Sequence, residues 1–147
     1  MRVTILSVGH KMPAWIQEGF TEYTRRMPPE VRVELVELKP GKSKVEEGKS
    51  MLDALPAGAT LLALDERGKA FTTQGLSVML SGWMRDATHP CFAIGGADGL
   101  SDEVKEHAAR LFSLSALTLP HQMVRVVLAE QLYRAWTILA RHPYHRE

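Results

Sequence analysis

Two loops near the end of the chain carry residue types that could hold a small ligand. Gly95 and Gly96 follow the apolar run Cys91–Ile94, and a second short run ends at residues 118–120, directly before a long helical segment. Glycines let a ligand approach backbone N–H and C=O groups closely, and ligands of α/β sheets bind at the carboxyl ends of strands. The pattern therefore predicts a small-ligand site. Its spacing and late position do not match a dinucleotide-binding fingerprint.

Other chemistry-bearing residues give weaker signals. His142 and His145 lie three apart with a proline between them, and we expect solvated tail residues there and no metal site. The pair Asp65-Glu66 is interpreted as a solvated turn. Cys91 is the single cysteine, so no internal disulfide can form, and its apolar neighbours predict a buried structural thiol.

Alternating strands and helices must position these loops. Short apolar runs, typical of strands covered on both faces, alternate with segments of helical periodicity. We predict an α/β fold with a mostly parallel sheet flanked by helices, in a single domain over residues 1–147. The helix capped by Ser101 is expected to include Leu111. Strands are predicted over Val3–Val8, Val31–Leu38, Thr60–Leu64 and Cys91–Ile94, with a further one ending at Pro120.

Composition is that of an ordinary globular protein. The chain has 147 residues, 45% of them hydrophobic and 24% charged, and its net charge is +1. No signal peptide or membrane-spanning stretch is expected, which favours the cytoplasm. The low net charge predicts weak non-specific binding to free nucleic acid. Basic residues concentrate after His121, so a nucleic-acid contact is expected there.

The last helical segment is apolar over most of its circumference. At 100° per residue, Glu130, Arg134, Thr137 and Arg141 fall within a stripe of about 60°. The remaining face needs a second partner besides the sheet. We expect the same helix of another subunit, which makes the protein a homodimer; the alternative is a helix of its own chain.

Arg125 lies outside that polar stripe, about 140° from Glu130. An arginine in an apolar arc must meet a carboxylate, a cluster of carbonyl groups or a ligand. An intersubunit salt bridge and a substrate contact are both compatible with the sequence.

Six short segments, in their order along the chain, resemble one enzyme family. Together they are similar to the bacterial ribosomal large-subunit pseudouridine N3-methyltransferases, minimal members of the SPOUT class. The likeness runs end to end and is strongest over residues 91–147. The segments are Gly9–Pro13, Gly19–Tyr23, Leu64–Lys69, Ile94–Gly96, Leu117–His121 and Tyr144–Arg146.

The resemblance implies a fold whose C-terminal part is tied in a deep trefoil knot, with S-adenosylmethionine bound in the knot by three loops. It implies no metal. The cofactor-binding residues implied for this chain are Leu64, Gly95, Gly96, Ser115, Ala116, Leu117, Thr118, Leu119 and Pro120.

The implied reaction is methyl transfer to N3 of a pseudouridine in a 23S rRNA hairpin loop, helix 69, of the assembled ribosome. The family's C-terminal tail reaches the active site of the partner subunit. In this chain, Tyr144 could stack on a base, His145 could relay a proton and Arg146 could hold a phosphate. The alternative is a frayed terminus.

His121 is a candidate general base, and Arg125, Arg141 and His142 are expected to contact the RNA. Two other functions are compatible with the sequence. One is a SPOUT methyltransferase that acts on another RNA such as tRNA, and the other is a non-catalytic ribosome-binding protein of the same fold.

Overall fold

A computed structural model describes residues 1–144 and shows a five-stranded parallel sheet with helices on both faces. The strand order is β2-β1-β4-β3-β5, which confirms the predicted parallel α/β fold. The trefoil knot stays a prediction. The elements are β1 (Arg2–Val8), α1 (Ala14–Thr24), β2 (Arg32–Leu38), α2 (Lys44–Ala54), β3 (Thr60–Ala70), α3 (Thr73–Asp86), β4 (Pro90–Ile94), α4 (Asp102–His107), β5 (Arg110–Ser113) and α5 (His121–Leu139).

Both faces of the sheet are buried, which explains the continuous apolar runs. Because successive strand residues point to opposite faces, Val3 and Ile5 of β1 join one core and Leu6 and Val8 join the other. The first core includes residues of α1, α3 and α5, and the second includes residues of α2 and α4. The molecule therefore has three layers, with the sheet in the middle.

Hydroxyl side chains fix the starts of three helices. Ser43, Thr72 and Ser101 each accept a hydrogen bond from the backbone amide three residues further on, at 3.1, 2.9 and 3.3 Å. Such caps satisfy an amide that has no partner within its own helix. The local sequence thus determines where α2, α3 and α4 begin.

Two boundaries near the end of the sheet differ from prediction. Helix α4 ends at His107, and Leu111 belongs to β5 instead of the helix. The physical reason is a backbone hydrogen bond of 2.8 Å from the Ala109 amide to the Leu61 carbonyl, which draws the chain into the sheet beside β3. Strand β5 also stops at Ser113, so the predicted strand end at Pro120 is wrong and residues 114–120 form a loop.

Strand β3 continues beyond Leu64, where the prediction ended it. Its pairing with β5 shifts register between Leu64 and Lys69, because both residues oppose Phe112. Residues 65–68 therefore bulge out of the ladder at the carboxyl end of the sheet. A Cβ atom at Gly68 would lie 2.7 Å from backbone atoms of Phe112, so only glycine allows the two strands to approach so closely.

The long helix α5 packs mainly against its own chain. Leu128, Leu132 and Ala135 are fully buried in the first core, and α1 and α3 pack beside the helix. Intrachain packing, the alternative to a dimer, thus accounts for much of the apolar arc. Within residues 1–144, no helix, α5 included, is long and apolar enough to cross a membrane.

Candidate functional site

A cleft of about 540 Å³ lies at the carboxyl ends of β4 and β5, beside the bulge of β3. The β3 bulge and the loops that follow β4 and β5 form its walls, and residues from α2, α4 and α5 complete it. The structure thereby brings together three segments that are far apart in sequence. Of the residues predicted to bind a cofactor or act as base, Leu64, Gly95, Gly96, Ser115, Leu117, Thr118, Leu119, Pro120 and His121 line the cleft, whereas Ala116 does not.

The loop after β4 closes tightly on itself. The Gly99 amide donates a hydrogen bond of 3.0 Å to the Gly96 carbonyl, and Gly99 has a positive φ of 80° that favours glycine. A Cβ atom at Gly95 would lie 2.5 Å from the backbone carbon of Gly99. A Cβ atom at Gly96 would instead point to Val8 Cγ1, at 3.0 Å. Gly95 is therefore the position at which this loop requires the absence of a side chain.

An ion pair fixes the wall that the β3 bulge forms. Lys105 Nζ lies 2.8 Å from Asp65 Oδ2, and the Arg67 amide donates a hydrogen bond of 2.8 Å to Asp65 Oδ1. Although partial burial opposes this effect, these two hydrogen bonds lower the pKa of the Asp65 carboxyl group. Sequence reasoning missed the pair, because it interpreted Asp65 as part of a solvated turn and Lys105 lies on a different element.

A hydrogen bond joins this wall to the loop after β5. Thr118 Oγ1 donates to Glu66 Oε2 at 3.1 Å. The loop itself is shaped by Ser115, whose Oγ accepts from the Leu117 amide at 2.9 Å and whose carbonyl accepts from Ser113 Oγ at 2.9 Å. These bonds hold Leu117 at the rim of the cleft with 75% of its surface exposed.

The cleft is lined both by apolar side chains and by polar backbone groups. Leu64 and Leu119 provide apolar walls, and the tight turn of residues 95–99 provides backbone groups that a ligand can approach. Lys44 and Asp98 add charges of both signs. The arrangement fits a ligand with a flat apolar part and a charged part.

Arg125 is engaged within its own chain. Its side chain is 2% exposed, Nη1 donates to Glu37 Oε2 at 2.8 Å, and Nη2 donates to Ser7 Oγ at 3.0 Å and to the Gly9 carbonyl at 3.4 Å. A guanidinium buried in this way is not available to a substrate or to a second subunit. The structure therefore corrects both predicted roles: Arg125 ties α5 to the carboxyl ends of β1 and β2.

The end of the chain folds back along α5. Arg141 has a positive φ of 56°, and the His142 amide donates to the Thr137 carbonyl at 2.9 Å, which reverses the chain direction. The Tyr144 hydroxyl then donates to Glu130 Oε2 at 2.7 Å. Burial, together with the Glu130 carboxylate, raises the pKa of Tyr144, so its hydroxyl remains protonated at neutral pH.

This fold-back places Tyr144 away from the cleft of its own chain. Glu130, its partner, is nine residues after His121, which corresponds to about 14 Å of helix rise. The side chains of Arg141 and His142 are exposed in the same turn. His145 and Arg146, predicted to act with Tyr144, lie outside the described residues.

Thiol chemistry and a metal centre are not features of this cleft. Burial raises the pKa of the Cys91 thiol to about 12, so Cys91 is the predicted buried structural thiol and is not a nucleophile at neutral pH. Across residues 1–144, no group of three His, Cys, Asp or Glu side chains could hold a metal ion.

Comparisons with known proteins match the whole chain. A family model described as "Predicted SPOUT methyltransferase" matches residues 1–145. Proteins of Burkholderia lata and Burkholderia cenocepacia, each named "Ribosomal RNA large subunit methyltransferase H", are 55% identical over 155 aligned positions, which cover 99% of this chain and 99% of each relative. A crystal structure of a Neisseria gonorrhoeae protein covers 96% of this chain and 93% of its own, with a TM-score of 0.54 at 13% identity, a likeness of fold alone.

Proposed function

The chain belongs to the SPOUT methyltransferase family, and we propose that it is an S-adenosylmethionine-dependent methyltransferase of ribosomal RNA. The acceptor we propose is N3 of a pseudouridine in a hairpin loop, helix 69, of 23S rRNA in the assembled ribosome. One observation carries the proposal. In a chain 55% identical to rRNA large subunit methyltransferases over its whole length, the three loops implied for the cofactor converge on one cleft.

We also propose where the protein acts and how its chain is organised. The protein acts in the cytoplasm on ribosomes, without a metal, and residues 1–147 form one domain whose C-terminal part is knotted. The low net charge of +1 supports an acceptor recognised by its shape and by local contacts more than by overall charge.

The residues of the cleft fit S-adenosylmethionine. Leu64, Leu117 and Leu119 would hold the adenine between apolar side chains, and the backbone groups of residues 95–99 and 115–117 would read its edge. When bound, this cofactor supplies a methyl group on a sulfonium, which is already electrophilic. The main tasks of the protein are then to place the acceptor nitrogen in line with that methyl group and to remove the N3 proton.

His121 is the residue that we propose as acceptor of the N3 proton. It begins α5, lines the cleft, and is only partly exposed. Tyr144, His145 and Arg146 would position the nucleotide from the tail of the partner subunit. Arg141 and His142, exposed beside that tail, would contact the surrounding RNA.

A homodimer would bring the tail of one subunit to the cleft of the other. In an isologous dimer with antiparallel α5 helices, the end of one helix lies beside the start of its copy. Met123, Val127 and Ile138 fall within about 60° of one another on α5, beside Arg134 and Arg141, and remain only half-buried. These apolar side chains support a contact between two copies of α5.

Light scattering is expected to give twice the 16.4 kDa mass of the chain at micromolar concentration. Val127→Lys should shift the protein to monomers, because a lysine on this side of α5 cannot be buried without a partner charge. Val78→Lys is the matched control, since Val78 lies on α3 and is 71% exposed, and it should leave the dimer intact. A monomeric parent protein would contradict the dimer.

Methyl transfer from radiolabelled S-adenosylmethionine tests the proposed function directly. We expect transfer to ribosomes from a strain that lacks this modification, at a rate exceeding that on protein-free 23S rRNA by roughly tenfold or more, because shaped contacts select the acceptor. Mass spectrometry should locate the methyl group on the pseudouridine. Transfer to tRNA instead would favour another SPOUT activity. Ribosome binding without affinity for S-adenosylmethionine would indicate a non-catalytic protein.

A further inference from the structure

Two neighbouring loops at the carboxyl end of the sheet carry four exposed lysines. Lys11 lies between β1 and α1, while Lys39, Lys42 and Lys44 lie between β2 and the first turn of α2. The loops begin side by side, because Val8 pairs with Leu38 and the Gly9 amide, directly after β1, donates to the Leu38 carbonyl at 2.7 Å. Lys44 also lines the cleft, so this lysine surface (Lys11, Lys39, Lys42 and Lys44) is continuous with it.

The charges of this surface are not neutralised by the protein. None of the four lysines forms an ion pair within the part of the chain that the structure describes. The nearby carboxylate of Glu37 is occupied by Arg125 at 2.8 Å, and Glu47 accepts a hydrogen bond from the Gly41 amide at 3.0 Å. Glu46 and Glu47 also lie in the first turn of α2, where the helix dipole attracts them. The four ammonium groups are therefore available to an anionic ligand, on a protein whose net charge is only +1.

The loop that carries Lys11 is held in a fixed conformation. Lys11 itself has a positive φ of 55°, a backbone conformation that side-chain-bearing residues rarely adopt. The surrounding structure maintains it, since the Gly9 carbonyl accepts from Arg125 and the Met12 carbonyl accepts from Gln17 Nε2 at 2.8 Å. The buried guanidinium of Arg125 thus fixes the direction in which the loop presents its lysine.

We propose that the lysine surface binds backbone phosphates of the rRNA strand that flanks the methylated nucleotide. The inference rests on the proposed function and adds to it the surface along which the RNA strand extends from the cleft. Lysine ammonium groups act as point charges, which suits phosphates that fix the register of an RNA without reading its sequence. An acidic ribosomal protein is the alternative occupant that the test must separate.

The test compares two double variants of the full-length protein, each of which lacks two cationic side chains. Lys11→Gln with Lys42→Gln removes two charges from the lysine surface. Arg32→Gln with Arg110→Gln is the matched control, because both arginines are exposed at the amino ends of β2 and β5, opposite the carboxyl end of the sheet that carries the lysines. The lysine variant should raise the KM for ribosomes by roughly tenfold and reduce the slope of log binding constant against log salt by roughly one to two. Its kcat and its affinity for S-adenosylmethionine should equal those of the control.

Each outcome decides the proposal. Equal KM and equal salt slope in the two variants would overturn it. Weaker binding of the lysine variant to ribosomes, with unchanged binding to a 23S rRNA fragment containing helix 69, would assign the surface to a ribosomal protein and would also overturn it. If the parent protein binds ribosomes but transfers no methyl group, the proposed function fails. Ribosome binding by the two variants then still shows whether the lysine surface binds RNA. A parent protein that neither binds nor methylates would overturn both.

Discussion

Deletion of residues 144–147 is expected to lower methyl transfer to ribosomes by roughly a hundredfold or more, because an acceptor that is not held in place loses the advantage of proximity. The dimer and the affinity for S-adenosylmethionine should change little. Tyr144, the described residue of this segment, does not line the cleft, and the proposed dimer contact is assigned to Met123, Val127 and Ile138, which the deletion retains. Initial rates, light scattering and calorimetry on the same preparations measure the three quantities.

Substitutions at Arg146 separate charge from geometry. Arg146→Ala should reproduce much of the loss that the deletion causes. Arg146→Lys should restore part of the activity if the contact is a simple phosphate charge, and little of it if the guanidinium makes a bidentate contact. Turnover equal to that of the intact protein in both variants would show that Arg146 takes no part in the reaction.

Mixed dimers test whether the tail acts on the partner subunit. One chain lacks residues 144–147, and the other retains its tail but carries a substitution that blocks the cofactor cleft. If the tail acts across the dimer, the mixture has one complete site, composed of the cleft of the first chain and the tail of the second. Mixing two inactive proteins should then restore activity. No recovery in verified mixed dimers would place the tail and the cleft in the same chain, and equal turnover of the deleted and intact proteins would show a frayed terminus.

Most of the fold follows from local pattern. Strands buried on both faces must be apolar throughout, so runs such as Cys91–Ile94 predict strands without further information. Helix starts are equally local, since Ser101 caps α4 through its own hydroxyl. The end of α4 could not be predicted in this way. It depends on the hydrogen bond between Ala109 and Leu61, whose partners are brought together only by the assembled sheet.

The same distinction between local pattern and long-range contacts applies to the candidate site. Gly95 was predictable, because a residue with unusual backbone freedom marks a loop wherever it occurs, whereas the loop that ends at Pro120 was predicted as the end of a strand. Charge pairs were not predictable, because the sequence does not show which distant residue a carboxylate will contact. Arg125 shows the difference: its position in an apolar arc indicated that it needs a partner, but only the fold identifies Glu37 and the carboxyl ends of β1 and β2.

Gly95→Ala is expected to eliminate measurable binding of S-adenosylmethionine, whereas Gly96→Ala should retain most of it. The two glycines are adjacent, and each variant adds a single methyl group. At Gly95 that methyl would lie 2.5 Å from the Gly99 carbon and 2.6 Å from its oxygen, and a backbone cannot move aside as a side chain does. The turn of residues 95–99 must therefore open and lose the geometry that lines the cleft.

At Gly96 the added methyl meets Val8 Cγ1 at 3.0 Å, a contact that a small rotation of the valine relieves. This geometry makes Gly95 the more informative position, although both glycines are predicted to bind the cofactor. Calorimetry measures the affinity, and thermal unfolding checks that Gly95→Ala remains folded, with a Tm lower by roughly 5 °C for an overpacked loop. Unchanged affinity in a folded Gly95→Ala protein would place the cofactor elsewhere, and equal losses in both variants would mean that the methyl groups act on the cofactor itself instead of on the turn that holds it.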